Sequence, residues 1–214
     1  MIVRVIPVWS FLAVTVPLVL TPGASTAVVL RNSLAEGTRA GVVTAVGVNA
    51  GSLCYGLLTA FGFALAVQHW PSTWLVLRAG GTCYLAWLGV RSLYRAVAGV
   101  ETTISAGTGH DRGQWRNLSE GFMTNALNPA IATFYLVLIP QFIVPGVPVV
   151  RAALLLTALH IGLAFSWHVV WAATGGTLAR MLASPRVRRT LEAMTGVALL
   201  TLSLKLLAGL VTRL

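Results

Sequence analysis

The stretch VIPVWSFLAVTVPLVLTPGASTAVVL, residues 5–30, carries no charged side chain and contains Thr21-Pro22-Gly23. A helix that crosses a bilayer needs about 20 mainly apolar residues, so this stretch is long enough to span. Proline removes a backbone N–H and clashes with the carbonyl four residues earlier, so the span is predicted to break near Pro22. Reading outward, Arg31, Glu36 and Arg39 mark a short polar loop. The charge-free run from Ala40 to Leu77 is too long for one helix, and His69-Trp70-Pro71-Ser72-Thr73 divides it with turn and interface residues. That leaves a second span near 41–67 and a third near 74–94. After a polar stretch at 99–117, a fourth span near 119–143 contains Asn128-Pro129 and closes at Pro145-Gly146-Val147-Pro148. A fifth runs from Ala152 to Ala179, and a sixth lies near 191–211, after Arg186, Arg188 and Arg189. The prediction is an all-α integral membrane protein with six transmembrane helices.

Composition agrees. The 214 residues are 57% hydrophobic and 9% charged, with a mean hydropathy of +0.82, whereas soluble domains carry about 25% charged residues. A net charge of +10 would suit a nucleic-acid binder only if Lys and Arg shared an accessible face. Here they stand singly or in short clusters between apolar runs, so no nucleic-acid partner is expected. Cys54 and Cys83 lie in apolar sequence without a CxxC or a Cys/His cluster and read as small buried apolar residues. No metal and no cofactor is expected.

Basic residues orient a membrane chain. The loops after spans one, three and five hold Arg31, Arg39, Arg91, Arg95, Arg112, Arg116, Arg180, Arg186, Arg188 and Arg189, ten in all. The other side has five: Arg4, Arg78, Arg151, Lys205 and Arg213. The ten are predicted to be cytoplasmic, with both termini outside the inner membrane. Arg78 and Lys205 fall near outer ends of spans, where long side chains can snorkel to the interface. Arg4, an apolar stretch and Gly23-Ala24-Ser25-Thr26-Ala27 also resemble a cleavable signal peptide. The apolar run continues to Arg31, however, and cleavage would leave five spans, so the segment is read as retained.

The organisation is then a first three-helix repeat at 1–98, a cytoplasmic linker loop at 99–117 and a second three-helix repeat at 118–214. Three is odd, so the halves are opposite in orientation. Inverted repeats of this kind are a transporter plan, with the site at mid-depth where helices are interrupted. Helices 1 and 4 are the broken ones here. Freed backbone groups are tolerated in a membrane only where protein or water satisfies them, so paired breaks imply a polar cavity; the opposing reading is two unrelated kinks. Polar side chains gather near both breaks: Thr21, Ser25 and Thr26 near Pro22, and Thr124, Asn125, Asn128 and Thr133 near Pro129. Span two adds Asn49 and Ser52, and its glycines allow close helix packing. The candidate substrate-binding residues are Thr21, Pro22, Gly23, Ser25, Asn49, Asn125, Asn128 and Pro129. Half-helix N-termini after each proline offer N–H groups to a carboxylate.

These residues resemble the LysE/RhtB-type amino-acid exporters. The likeness runs through Thr21-Pro22-Gly23, Leu30-Arg31-Asn32-Ser33-Leu34, Gly37, Ala40-Gly41, Gly47 and Gly51, then Gly80, Ala86-Trp87-Leu88-Gly89 and Arg91. In the second half it rests on Gly121, Thr124-Asn125, Leu127-Asn128-Pro129 and Pro140-Gln141-Phe142. It covers most of residues 10–145. The resemblance implies a six-helix efflux permease for amino acids or their derivatives, driven by the proton gradient. The family usually reads Pro-Gly-Pro followed by an acidic residue or asparagine, where this chain has Ala24 and Ser25. Its common second-helix acid is Ser52 here, and the lysine after Asn-Pro is Ala130. All five acids (Glu36, Glu101, Asp111, Glu120 and Glu192) fall in loops or at helix ends. A cationic substrate would want a buried counter-charge, so a neutral zwitterion is expected. His160 and His168, eight residues apart on span five, are the proton-coupling candidates, against a reading as packing histidines.

Two other classes compete. A membrane thiol-disulfide electron carrier would need a cysteine pair at the breaks, and a non-transporting accessory subunit would show no substrate-dependent phenotype. No HExxH, no GxSxG and no paired intramembrane aspartates point to an enzyme. A small-molecule substrate and the lipid bilayer are the expected partners, and self-association into a homo-oligomer is left open.

Overall fold

The computed structural model describes residues 6–70, 72–98, 113–144, 146–174 and 184–211. Among the described residues every regular element is a helix. They are α1 (Val8–Leu20), α2 (Ala24–Glu36), α3 (Thr38–His69), α4 (Thr73–Ala98), α5 (Gln114–Ala126), α6 (Pro129–Gln141), α7 (Val149–Thr174) and α8 (Pro185–Val211). Both prolines break the chain as expected: α1 and α2 meet at 47°, α5 and α6 at 55°. Two further irregularities had no sequence signal. Leu58–Gly62 in α3 and Phe134–Leu138 in α6 are π-helical turns, a form that favours functional sites.

Three single helices are long and apolar enough to cross a membrane: α3, α7 and α8. Counting each bent pair as one span gives five. Helix α4 has the length but stands outside that set; Arg78, Arg91 and Arg95 and a run of small residues dilute it. Boundaries also move. The polar loop expected from Arg31 shrinks to Gly37, whose φ of +88° turns α2 directly into α3; such a backbone suits only glycine. The linker expected to end at 117 ends earlier, because α5 starts at Gln114. Residues 99–112, with Glu101 and Asp111, lie outside the described residues, as do Arg180 and 175–179 of the fifth span.

Glycines set the closest crossings. A Cβ on Gly47 would strike the Leu118 carbonyl, and one on Gly121 the Thr44 carbonyl, so α3 and α5 touch backbone to backbone. They run parallel, since Gly51 in turn meets Phe122 and Asn125. Helices α3 and α7 run antiparallel: Gly41 faces Ala172, Asn49 faces His168, and Gly56 faces Thr157. Helices α4 and α8 do the same about Gly89 and Gly196, with Ser92 donating to the Glu192 carbonyl and Ser203 to that of Thr82. Lipid tails are as apolar as leucine, so small residues and hydrogen bonds must hold such helices together.

Apolar packing adds two cores. One centres on Phe11, Phe134, Phe142 and Leu156, with Phe11 against Phe142 edge-on at 5.3 Å. The other joins Val29 and Leu30 to Ala45, Val48 and Trp171. Leu53, Leu57, Phe61 and Leu65 of α3 and Leu204 and Leu207 of α8 face outward, as a lipid-facing surface requires.

Candidate functional site

The two breaks differ in chemistry. At the first, the Thr21 amide and hydroxyl both bond to the Pro17 carbonyl, at 3.0 and 2.8 Å. Pro22 has no N–H to continue the helix, and α2 restarts after Gly23 with no side chain capping its first amides. Gly23 and Ala24 are exposed. At the second break, Asn128 Oδ1 accepts from the Ala130 amide at 2.9 Å, with Pro129 in the first turn of α6. Asn128, expected to contact a ligand, therefore spends its oxygen on its own helix. Pro129 is exposed beside it.

Three other candidates, Ser25, Asn125 and His160, fall into place around these breaks. Ser25 donates to Asn125 Oδ1 at 2.5 Å, which joins α2 to α5. Asn125 Nδ2 donates to the Ser52 hydroxyl at 2.7 Å and to the Val48 carbonyl at 3.0 Å, which ties α5 to α3. Separately, the Tyr135 hydroxyl lies 2.8 Å from His160 Nδ1. One polar chain thus runs Ser25, Asn125, Ser52 through α2, α5 and α3, and a second contact joins Tyr135 of α6 to His160 of α7. Thr59, in the π-turn of α3, donates to the Tyr135 carbonyl in the π-turn of α6, so the two irregular turns meet at this level.

Asn49 and His168 form a separate pair. Asn49 Nδ2 bonds to the Ala45 carbonyl at 2.8 Å and lies 3.4 Å from His168 Nδ1. Its Oδ1 is buried without a hydrogen-bond partner, as are the indole N–H groups of Trp167 and Trp171. The two histidines, expected on one face, do share the buried side of α7, but they serve different neighbours. Thr21 turns away from this network, its hydroxyl 3.4 Å from that of Thr195 on α8. Cys54 and Cys83, expected to be buried, are free and exposed on the outer faces of α3 and α4. There a thiol acts as one more small apolar group against lipid. Among the described residues no three His, Cys, Asp or Glu side chains could hold a metal ion.

A family model for LysE type translocators matches residues 16–209. The chain belongs to that family. An uncharacterized membrane protein of Vibrio cholerae is 30% identical over 141 residues, covering 65% of this chain and 67% of that one. A protein of Salmonella typhimurium named leucine efflux protein is 29% identical over 140 residues, covering 63% of this chain and 62% of its own length. An uncharacterized membrane protein of Bacillus subtilis is 20% identical over 201 residues, covering 92% and 96%. The chain therefore aligns with less than two thirds of the leucine efflux protein. No solved structure gives a significant match.

Sequence reasoning about this translocator missed several residues that the fold makes prominent. Arg31 pairs with Glu120, Asn32 donates to Glu120 at 3.0 Å and to Thr44 at 3.0 Å, and Asn117 donates to Glu36 at 2.8 Å. The sequence carried a signal for the first of these. Arg31 stands nine residues after Pro22 and Glu120 nine before Pro129, so two antiparallel half-helices measured from their breaks bring them level. Tyr135 carried none, because a tyrosine inside an apolar span reads as packing.

Proposed function

We propose that this LysE type translocator is a secondary active efflux permease that exports a neutral amino acid or a related small metabolite across the inner membrane, using the proton gradient. One observation carries the reading. Ser25 and Asn125 link the half-helices at the two breaks beside the uncapped N-terminus of α2. Unpaired backbone N–H groups do not face lipid, so that terminus opens to water or to a ligand. Its N–H groups and positive dipole end suit a carboxylate, with Gly23 keeping the approach open and Ser25 and Asn125 as polar contacts. The Ser25–Asn125–Ser52 chain, the Tyr135–His160 pair and the Asn49–His168 pair contain no carboxylate, which favours a zwitterion over a cation. The Salmonella relative's name, leucine efflux protein, points the same way.

The architecture proposed is six crossings in two inverted repeats, with α1–α2 and α5–α6 as the broken helices 1 and 4. Antiparallel packing of α3 on α7 and of α4 on α8 supports it. Thr21, Pro22 and Pro129 act by setting the breaks, and Asn128 by capping α6. His160 is the better-placed proton carrier of the two histidines, because it bonds to the Tyr135 hydroxyl at the level where the two π-turns meet. His168 reaches Asn49 alone.

The test is a competitive export screen. Cells overexpressing the protein are fed dipeptides of each amino acid while intracellular and medium pools are followed. Faster appearance of a neutral amino acid in the medium, lost in Asn125→Leu, is the expected result. A preference for lysine or arginine, or no amino acid exported, overturns it. Retention of pH-gradient-driven efflux after His160→Ala with His168→Ala removes the histidines from coupling.

A further inference from the structure

Below the Ser25–Asn125 contact, the seam between α2 and α5 carries polar contacts at two further levels. The Arg31–Glu120 pair comes next, with Asn32 donating to the other Glu120 oxygen and also to Thr44 of α3. The Glu36–Asn117 contact ends the seam. The Arg31–Glu120 ion pair joins the broken helix of one half to the broken helix of the other. Its side chains are 30% and 31% exposed, and exposed Arg39 and Arg116 mark the same end of the bundle.

The two sides of this seam are anchored differently. Helix α5 is fixed against α3 by backbone contact at Gly47 and Gly121 and cannot slide without collision. Helix α2 is bounded by the Pro22-Gly23 break at one end and the single-residue turn at Gly37 at the other. It meets α5 through side-chain hydrogen bonds. At the opposite end of the bundle, the contact between broken helices is a dry aromatic cluster of Phe11, Phe134 and Phe142. Water entering from the arginine-rich end would compete for Arg31 and Glu120, whereas it has no partner among the phenyl rings.

We propose that Arg31, Asn32 and Glu120 are the gate that closes the transport site at its arginine-rich end. Closed, the ion pair seals α2 against α5 below Ser25 and Asn125. Opened, it exposes Val48 and the site behind it. The gate rests on the efflux reading for its purpose, but its test reads accessibility and needs no substrate.

Val48 is fully buried on α3, one turn past Thr44 and bonded through its carbonyl to Asn125; the test uses Val48→Cys in a protein with Cys54→Ser and Cys83→Ser. Labelling by a membrane-impermeant maleimide is followed in membrane vesicles of both orientations. Glu120→Gln and Arg31→Gln are each expected to raise the labelling rate about tenfold from the arginine-rich side only. The exchanged pair Arg31→Glu with Glu120→Arg should restore the low rate. Labelling unchanged in both single variants overturns the gate. So does a rise that the exchanged pair fails to reverse while the protein remains monodisperse in detergent. If labelling behaves as expected but no amino acid is exported, the gate stands and the efflux reading fails.

Discussion

Asn125 does more than any other single side chain near the breaks. Its oxygen accepts from Ser25, and its nitrogen serves Ser52 and the Val48 carbonyl, so three elements meet on one amide. Asn125→Leu strips two hydroxyls of their partner. Polar pairs between membrane helices are worth about 1 kcal/mol or less, so the melting temperature in detergent should fall only modestly. Export should fall about tenfold or more, the loss that about 1.4 kcal/mol of substrate contact produces. A variant that unfolds in detergent, or one that exports normally, would contradict the assignment. Asn128 calls for a different comparison, because its oxygen caps α6. Serine caps nearly as well, and loss of a cap costs about 1 kcal/mol. Asn128→Ser is expected to export normally and Asn128→Leu to fail; loss in both would place Asn128 on the substrate. At this scale the sequence was a fair guide where a polar side chain sat in an apolar run, as with Ser25, Asn49 and Asn125. It gave no warning of Tyr135, whose hydroxyl matters only because the fold sets it against His160.

Helix breaks were legible because proline acts through local backbone geometry. Helix ends near charges were not. Arg31 and Glu36 read as loop residues, yet α2 runs through both because Glu120 and Asn117 of α5 satisfy them. A partner 81 or more positions away leaves no local trace. The π-turns were invisible for a related reason: an extra residue in a turn changes no composition, and Thr59 and Tyr135 are stabilised across two helices. Glycine separates packing from function at this scale. Gly47→Val drives a side chain into the Leu118 carbonyl, a backbone group with no rotamer to yield. The expected cost is about 3 kcal/mol, the upper end for overpacking, seen as loss of monodisperse protein in detergent. A Cβ at Gly23 meets nothing within 4 Å, and its φ of −133° suits any residue. Gly23→Ala should therefore melt with the wild type while export falls, since the methyl group would stand at the open end of α2. Equal export by Gly23→Ala would remove that terminus from the site.

The net charge of +10 acquires its meaning only from the directions of the helices. Helices α3 and α5 are parallel, and α4 and α8 are antiparallel. Since α3 ends at His69 and α4 starts at Thr73, the starts of α3, α5 and α8 and the end of α4 share one end of the bundle. Arg39, Arg116, Arg186, Arg189 and Arg95 are exposed at those termini. The charge excess is thus a property of one end of the folded molecule, which sequence counting inferred from loops alone. Basic residues resist translocation when they flank short loops, so this end should be cytoplasmic. Alkaline phosphatase fused within 99–112 should be inactive, and fused after Leu214 it should be active. The bias is ten basic residues against five, and Arg186→Gln, Arg188→Gln and Arg189→Gln together reduce it to seven against five. Arg186 and Arg189 are exposed, and the triple change should yield a mixed population in which the 99–112 fusion gains activity. An active 99–112 fusion in the unaltered protein would reverse the orientation, and with it the side of the membrane that the Arg31–Glu120 pair faces.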